Sequence, residues 1–539
     1  MKYKQNVKSI IGISAAAIVM LGAGACSGGG SNDGGGRSNP SASQILNVAY
    51  FNGGVSVEWL KELEKEYETQ NPDVEILINS ELKDEIKNQK LLADIKNRNE
   101  DVFFTHEISY GEFVQRGLLE EITDIVKSPA ATGEKTVEER MNKNLRSVYN
   151  RDGHYYAVPF YTNFSGAIYD VDLFEEKELF IAKDGGYTSG VSGAKEKSLG
   201  KDGLPNTYDD GLPSTFDEYK TWLRYVKNRG VTPYIWCTDD SYRTLYLDSL
   251  RIGYDGVNDF ELNSTFTGTM KNGTVITAEN AYLLRQDNGR KFAVEMAKEI
   301  ISNKYYHPDS VNGSITHTDA QNKFLRGRPD NKPIAMILEG GWWENEARST
   351  FASIAKRSGD KYALGNRRFA YMPVPKYDEN AEAGESLYCT SGSVAALINA
   401  SSKQKKLAKD FLRFTLTNHA MSTFTKHVGI SRPYEYTLEE GVYDSLTPFG
   451  KNFRDICTSQ NSKIYYDKKG HPFKSNTNYF GTYEWNYGAT LGGEKVTDPF
   501  LYFLNHKDVS AQEYMQGLAA RYSAESYIKE YERWLATQK

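Results

Sequence analysis

Apolar positions along this chain recur at two periods, and the alternation between them sets out its elements from residue 45 onward. Ile45 to Phe51 is a buried-strand run. Asn52-Gly53-Gly54 reads as a turn, and Ser56 as the N-cap of a helix with an apolar face of Val57, Leu60, Leu63 and Tyr67. Asn71-Pro72 stops that helix, because a proline disfavours helical geometry in the residue before it. Val74 to Ile78 predicts a second strand, a helical stretch follows through Leu82, Ile86, Leu91 and Ile95, and Asp101 to Thr105 predicts a third strand. The order βαβαβ favours a parallel sheet. Ligands of such open sheets gather beyond the carboxyl ends of strands, which points to Asn52, Gly53, Thr105 and His106; for His106 a surface-loop role fits at least as well.

Further on, Tyr155 to Pro159 and Phe164 to Tyr169 are apolar and aromatic runs split by Tyr161-Thr162-Asn163, a connector into a second lobe. Residues 183–213 are rich in Gly, Asp and Lys with little apolar content, so they read as an inserted loop. Within it Asp202, Asn206, Asp209 and Asp210 place oxygen side chains close together, but the alternate acids and twelfth-position glutamate of an EF-hand are missing. A solvated turn is therefore favoured over a calcium site. Thr215 and Glu218 form a capping box for a helix through Trp222 and Val226 that ends at Gly230. Thr232 to Thr238 predicts a strand with Asp239-Asp240 at its carboxyl end, and a longer helix runs from about Gly289 to Asn303.

The amino terminus changes the picture. Lys2, Lys4 and Lys8, an apolar run from Ile10 to Leu21 and small residues ending at Cys26 form an export signal. It resembles a bacterial lipoprotein signal, although Ala23 stands where Leu is usual and Leu21 lies two places earlier. The run is about 12 residues against the ~20 of a spanning helix. Residues 1–25 are thus expected to be signal and 26–44 a Gly/Ser-rich tether, with a reach of roughly 23 Å. A lipid on Cys26 would moor the body outside the cytoplasm; an ordinary secretion signal cut before Cys26 is the alternative. Loss of the three signal lysines moves the net charge from −6 to −9, which disfavours nucleic acid as a partner. Cys237, Cys389 and Cys457 allow at most one disulfide and read best as buried thiols, and nothing has zinc-site spacing. Aromatics make up 13% of the chain, 37 of them tyrosines, a supply of flat faces suited to pyranose rings.

Four stretches carry a family likeness. They are Asp101 to Thr105 with Phe113, Gly117-Leu118-Leu119 and Ile122; Asp152 to Pro159 with Ile168-Tyr169 and Leu173-Phe174; Phe324, Gly327, Ile334-Ala335-Met336 and Gly340-Gly341-Trp342-Trp343; and Ser393 to Ile398 with Ala408, Phe411-Leu412 and Phe414. Together they resemble the extracellular solute-binding proteins of ABC importers, in the group that binds sugars. The resemblance implies an α/β, two-lobe, periplasmic-binding-protein-like fold with ligand in the interlobe cleft. The first lobe would comprise 45–158 and about 309–373, the second 159–308 and about 374–539. Crossings near Pro159, His307-Pro308 and Pro373 to Pro375 would serve as hinges.

In such a cleft each hydroxyl left unpaired costs about 1–3 kcal/mol, so rings must be joined by amides and carboxylates. Trp342 is the expected platform with Trp343 beside it; adjacent residues diverge, so one faces the cleft and the other the core. Trp236 and Asp240 would oppose them from the second lobe, or else serve as a core ring and a helix cap. Glu339 fits a hydroxyl acceptor and a structural salt bridge equally, Tyr161 and Asn163 follow as ligand contacts beside the first hinge, and Arg432 and Trp485 rank lower, each read first as structural. No cofactor is expected, and the partners are a small carbohydrate and the importer's membrane subunits, with the protein a monomer. A glycoside hydrolase or lyase using Glu339 and Glu344 is the enzymatic rival, but adjacency in sequence gives no evidence of the required carboxyl separation. No nucleophile elbow, P-loop or H-E-x-x-H helix occurs. An all-helical glycan-docking lipoprotein is the second rival.

Overall fold

A computed structural model describes residues 42–82, 92–106, 108–382, 384–389, 394–466, 471–473, 485 and 498–538. Cys26, the tether as far as residue 41, the helical positions Ile86 and Leu91, and Ser393 lie outside the described residues. The opening strands form as the apolar runs predict. β1 (Gln44–Phe51) pairs in parallel with β2 (Val74–Leu82) and β3 (Val102–Thr105). Leu82 ends β2 instead of joining a helix, and among the described residues before β3 helical residues 92–93 lead into a 3-10 turn at Ile95–Asn97. α1 (Glu58–Gln70) buries Trp59, Leu60, Leu63 and Tyr67. The Trp59 indole donates to the Tyr50 hydroxyl at 3.0 Å, and that oxygen lies 3.2 and 3.1 Å from the carbonyls of Val55 and Ser56, which clamps the turn after β1. β14 (Ala395–Ile398) and β4 (Ala157–Pro159) complete a five-stranded sheet of order β2-β1-β3-β14-β4.

A second sheet has the order β12-β5-β11-β8 and comprises β5 (Ser165–Asp170), β8 (Thr232–Ile235), β11 (Ile334–Gly340) and β12 (Phe369–Tyr371). Every residue of β11 is buried, as expected for a central strand covered on both faces. Met336 and Leu338 enter the core made with α2 (Phe216–Asn228), α3 (Asp240–Thr265) and α4 (Asn288–Ser302), while Ile337 enters the core that holds Phe324, Phe351 and Phe369. Phe324 and Phe351 come from α5 (His317–Gly327) and α6 (Arg348–Ser358). α7 (Lys405–Phe414) and α8 (Asn418–Val428) return to the five-stranded sheet, α9 (Pro448–Thr458) packs on β12, and α10 (Pro499–Asn505) and α11 (Ala511–Arg521) pack on α4.

The sheet pairing redraws the expected boundaries. β11 and β12 lie within 309–373 yet pair with β5 and β8, and β14, α7 and α8 lie within 374–539 yet build the first sheet. An apolar run such as Ile334-Ala335-Met336 fits the centre of either sheet, so local pattern cannot choose between them. Among the described residues the chain crosses through 160–164, 372–382 with 384–389, and 429–447. These segments hold one another: the Thr162 amide donates to the Ser431 carbonyl at 2.8 Å, and Phe164 bridges Cys389. The stretch at His307-Pro308 does not cross; the His307 amide donates to the Tyr234 carbonyl and keeps it beside β8.

In the inserted loop, β6 (Phe180–Ile181) and β7 (Tyr187–Thr188) form a hairpin. A second hairpin joins β9 (Gly268–Thr269) to β10 (Val275–Ile276), and β13 (Glu385–Cys389) pairs in parallel with β15 (Ser462–Tyr466). Asp202, Asp209 and Asp210 accept from the backbone amides of Leu204, Asp202 and Asn206, and Thr207 donates to Asp209 at 2.7 Å. The loop thus satisfies its carboxylates from its own chain, and among the described residues no group of His, Cys, Asp and Glu is placed to hold a metal ion. Cys237, Cys389 and Cys457 form no disulfide with one another. No described helix is long and apolar enough to cross a membrane.

Asp170 is fully buried at the end of β5, where it pairs with the buried Arg367 at 2.6 Å and caps the following helix at Leu173. Asp170→Ala leaves the Arg367 charge buried without its carboxylate and is expected to cost about 3–5 kcal/mol. Chemical denaturation checks this; an unchanged midpoint would contradict it.

Candidate functional site

The carboxyl end of β11 gathers the most concentrated polar chemistry around an aromatic ring. Glu339 closes the strand as a buried carboxyl: one oxygen accepts from the Gln321 side-chain amide at 3.0 Å, the other from the Gly340 amide at 3.2 Å, and the Trp342 indole bonds to it as well. The same Gln321 nitrogen donates to Glu346 at 2.8 Å, so one amide from α5 links two acids. His317, one turn earlier on α5, stands 4.0 Å from Glu346. From α3, Tyr242 hydrogen-bonds Trp342, meets its ring edge-on at 6.5 Å and stacks on His317 at 6.2 Å.

Two close approaches shape the platform. A Cβ at Gly340 would lie 2.6 Å from the Trp342 ring, so the indole folds back over the strand end only because that position is bare. Gly54, in the turn after β1 with φ +72°, would put a Cβ 2.7 Å from the Cβ of Trp342 and 3.0 Å from Glu346. The first lobe's turn therefore abuts the second lobe's ring and acid. Burial drives the Glu339 carboxyl well above the usual range, reinforced by the Glu346 charge. Burial also raises Glu346, offset in part by His317 and Gln321. Glu344 points elsewhere, toward α9, and accepts from Thr447 at 2.6 Å; burial pushes it up to about 7.

Of the residues expected from sequence, Trp342 and Glu339 meet here. Asn163 is one step behind, accepting from the Gly341 amide at 2.6 Å and tying the site to the first crossing segment. Tyr161 is buried edge-on to Phe160. Asn52 is half-buried beside Gly53, Thr105 is buried, and the half-buried His106 stacks on Phe51 at 5.5 Å. Asp240 is the half-buried first residue of α3, while Asp239 supplies the cap.

The remaining rings sit in the core instead of on a cleft wall. Trp343 is fully buried among Phe324, Phe351, Phe369 and Phe449. Trp236 is buried against Tyr306 and Phe500, and Trp485 donates to Asp248 with Arg290 over its face. Arg432 lies in the first lobe's core over Trp59, donating to the Thr415 carbonyl, with its pKa pushed down to about 10 by burial.

Sequence reasoning missed Gln321, Glu346, Tyr242 and His317. The spacing of His317 and Gln321, four apart on one helix, was the available signal. Two cavities lie elsewhere. One is lined by Phe164, Tyr208, Tyr371, Pro373 and Glu385, and one by Arg140, Thr162, Arg432 and Arg454. Trp342 lines neither, in keeping with the turn of Gly54 lying directly against it.

Comparison with known proteins adds the following. The family model for bacterial extracellular solute-binding protein matches residues 53–421. Among solved structures the chain is similar to the apo-form of RafE from Streptococcus pneumoniae, at 15% identity and TM-score 0.54 over 90% of this chain and 98% of that one. It is similar at 14% identity and TM-score 0.57 to a protein from work on xylan utilization by the thermophilic bacterium Caldanaerobius polysaccharolyticus, over 88% and 98%. A chitin oligosaccharide binding protein matches at 14% identity and TM-score 0.53, over 90% and 99%. Identities this low speak to the two-lobe α/β fold alone. No curated protein matches.

Glu344 gives a test of the electrostatics. In the folded chain it keeps its proton to about pH 7, against 4.5 for the ordinary carboxyl, so the folded state binds more protons across that window and stability falls as pH rises through it. Glu344→Gln removes this titration. Melting curves should show the variant gaining on the parent between pH 5 and pH 8, by up to about 3 kcal/mol; a constant difference across pH would contradict the assignment.

Proposed function

We propose, since this chain belongs to the family of bacterial extracellular solute-binding proteins, that it captures a carbohydrate, an oligosaccharide by preference, between its two lobes. It then delivers the sugar to the membrane subunits of an ABC importer while lipid on Cys26 holds it at the outer face of the cell membrane. The observation that carries this reading is the half-buried Trp342 ring bonded to Glu339, with Gln321, Glu346 and Tyr242 around it and the first lobe's turn against it. A ring face for the apolar side of a pyranose, bordered by acids and an amide for its hydroxyls, is what sugar capture requires. Raffinose, named as the ligand in a structure of RafE, and chitin oligosaccharides support the same class. The family is one of binding proteins and not of enzymes, so the solute is handed on unchanged. Parallel strands at the core of the first lobe set aside the all-helical docking lipoprotein.

Calorimetry over a panel of oligosaccharides, including raffinose, xylotriose and N-acetylchitotriose, with chromatography of each sugar afterwards, tests the proposal. At least one sugar should bind and be recovered intact; cleavage, or no binding by any sugar, would contradict it. Trp342→Ala should weaken that binding about 30-fold, roughly 2 kcal/mol, while shifting Tm by only a few degrees. Equal loss of binding and stability would mark Trp342 as core. Cys26→Ser should move the protein from the membrane fraction to the soluble one, and retention in the membrane fraction would count against the anchor.

A further inference from the structure

We infer that the Glu339–Glu346 wall makes this site select by charge: it accepts neutral and amino-bearing glycans and rejects those carrying a carboxylate or sulfate. The inference rests on the sugar-capture reading above and narrows its ligand class.

The site holds two acids, Glu339 and Glu346, and three neutral partners, Gln321, Tyr242 and Trp342. Two of its donors are already directed at the acids: the Gln321 amide serves both carboxyls and the Trp342 indole serves Glu339, which leaves the Tyr242 hydroxyl, itself bonded to Trp342, as the remaining donor. An incoming carboxylate needs N–H or O–H donors and a counter-charge, whereas incoming hydroxyls and ammonium groups bring donors of their own.

Cations are scarce as well. Among the described residues the ion pairs give Glu346 one partner, His317, at 4.0 Å with its side chain 43% exposed, and give Glu339 none. Arg243, one position beyond Tyr242 on α3, pairs with Asp498 at 2.9 Å and donates to the carbonyls of Thr238 and Asp239. The first lobe meets this wall at Gly54, which is uncharged. Burial favours the protonated form of Glu339, so the charge of the wall is assigned to Glu346, whose rise His317 and Gln321 partly offset; an incoming carboxylate brought against it inside a closed, desolvated cleft is opposed far more than in water.

The test takes the tightest neutral oligosaccharide of the panel and compares it, by calorimetry at pH 7.5 on the full chain, with two derivatives altered at one primary alcohol: the uronate and the uncharged uronamide of nearly the same size. The uronate should bind about 30-fold more weakly or worse, and the uronamide within about threefold of the parent sugar. In Glu346→Gln the ratio of neutral to uronate affinity should fall below about fivefold, whatever happens to the affinity itself. A uronate that binds as well as the neutral sugar, a uronamide rejected like the uronate, or a ratio untouched by that substitution would overturn charge selection and leave sugar capture standing. Failure of every sugar to bind would overturn the capture reading itself.

Discussion

The bare backbone at Gly340-Gly341 is the constraint on which the site depends. One missing side chain lets the Trp342 ring fold over the end of β11 and reach Glu339, and the next lets the Gly341 amide approach the Asn163 carbonyl oxygen to 2.6 Å. The first contact fixes the platform; the second fastens it to a segment that crosses between the sheets. A Cβ at Gly341 would sit 2.7 Å from that same Asn163 oxygen and from Phe453 of α9, so side chains are excluded there from two directions. Ring, acid and crossing segment are thereby held as one unit at a single strand end.

That unit gives lobe motion a mechanical meaning. Three crossing segments joined by main-chain contacts, such as that between Thr162 and Ser431, can bend as a group. The turn after β1 lies against Trp342 and Glu346 in this structure, so opening would separate Gly54 from the ring and expose the acids to water. Closure over a solute would desolvate them again, and the gain in binding has to exceed that cost. A Gln321 side chain shared by two carboxyls keeps part of their hydrogen bonding satisfied in the closed form.

Much of this was legible in the sequence where burial alone decides structure. β1, β3, α1, α2 and α4 form where their apolar runs place them, because a two-sided strand and an amphipathic helix each leave a period that can be read directly, although Val57 and not the expected Ser56 stands at the N-cap of α1. The split between Trp342 at the surface of the core and Trp343 within it follows from adjacent side chains diverging. Sheet membership was not legible: β11 and β14 are both short apolar strands, and what assigns them to different sheets is pairing with distant partners, β5 and β8 for one, β3 and β4 for the other. The site was half legible for the same reason. Glu339 and Trp342 stood beside a conspicuous Gly-Gly pair, but Gln321 and His317 come from the polar face of an ordinary capped helix and Tyr242 from another element, so only the fold brings them to the ring.

The most direct test of the account is the distance across the cleft. Spin labels at Glu58→Cys on α1 and Thr318→Cys on α5, both exposed positions, report on the two walls, because α1 follows the turn that touches Trp342 and α5 carries Gln321. With the tightest oligosaccharide at saturation, the account predicts that a broad distance distribution collapses to a single short one. An unchanged distribution in protein shown by calorimetry to be fully bound would contradict closure around the sugar.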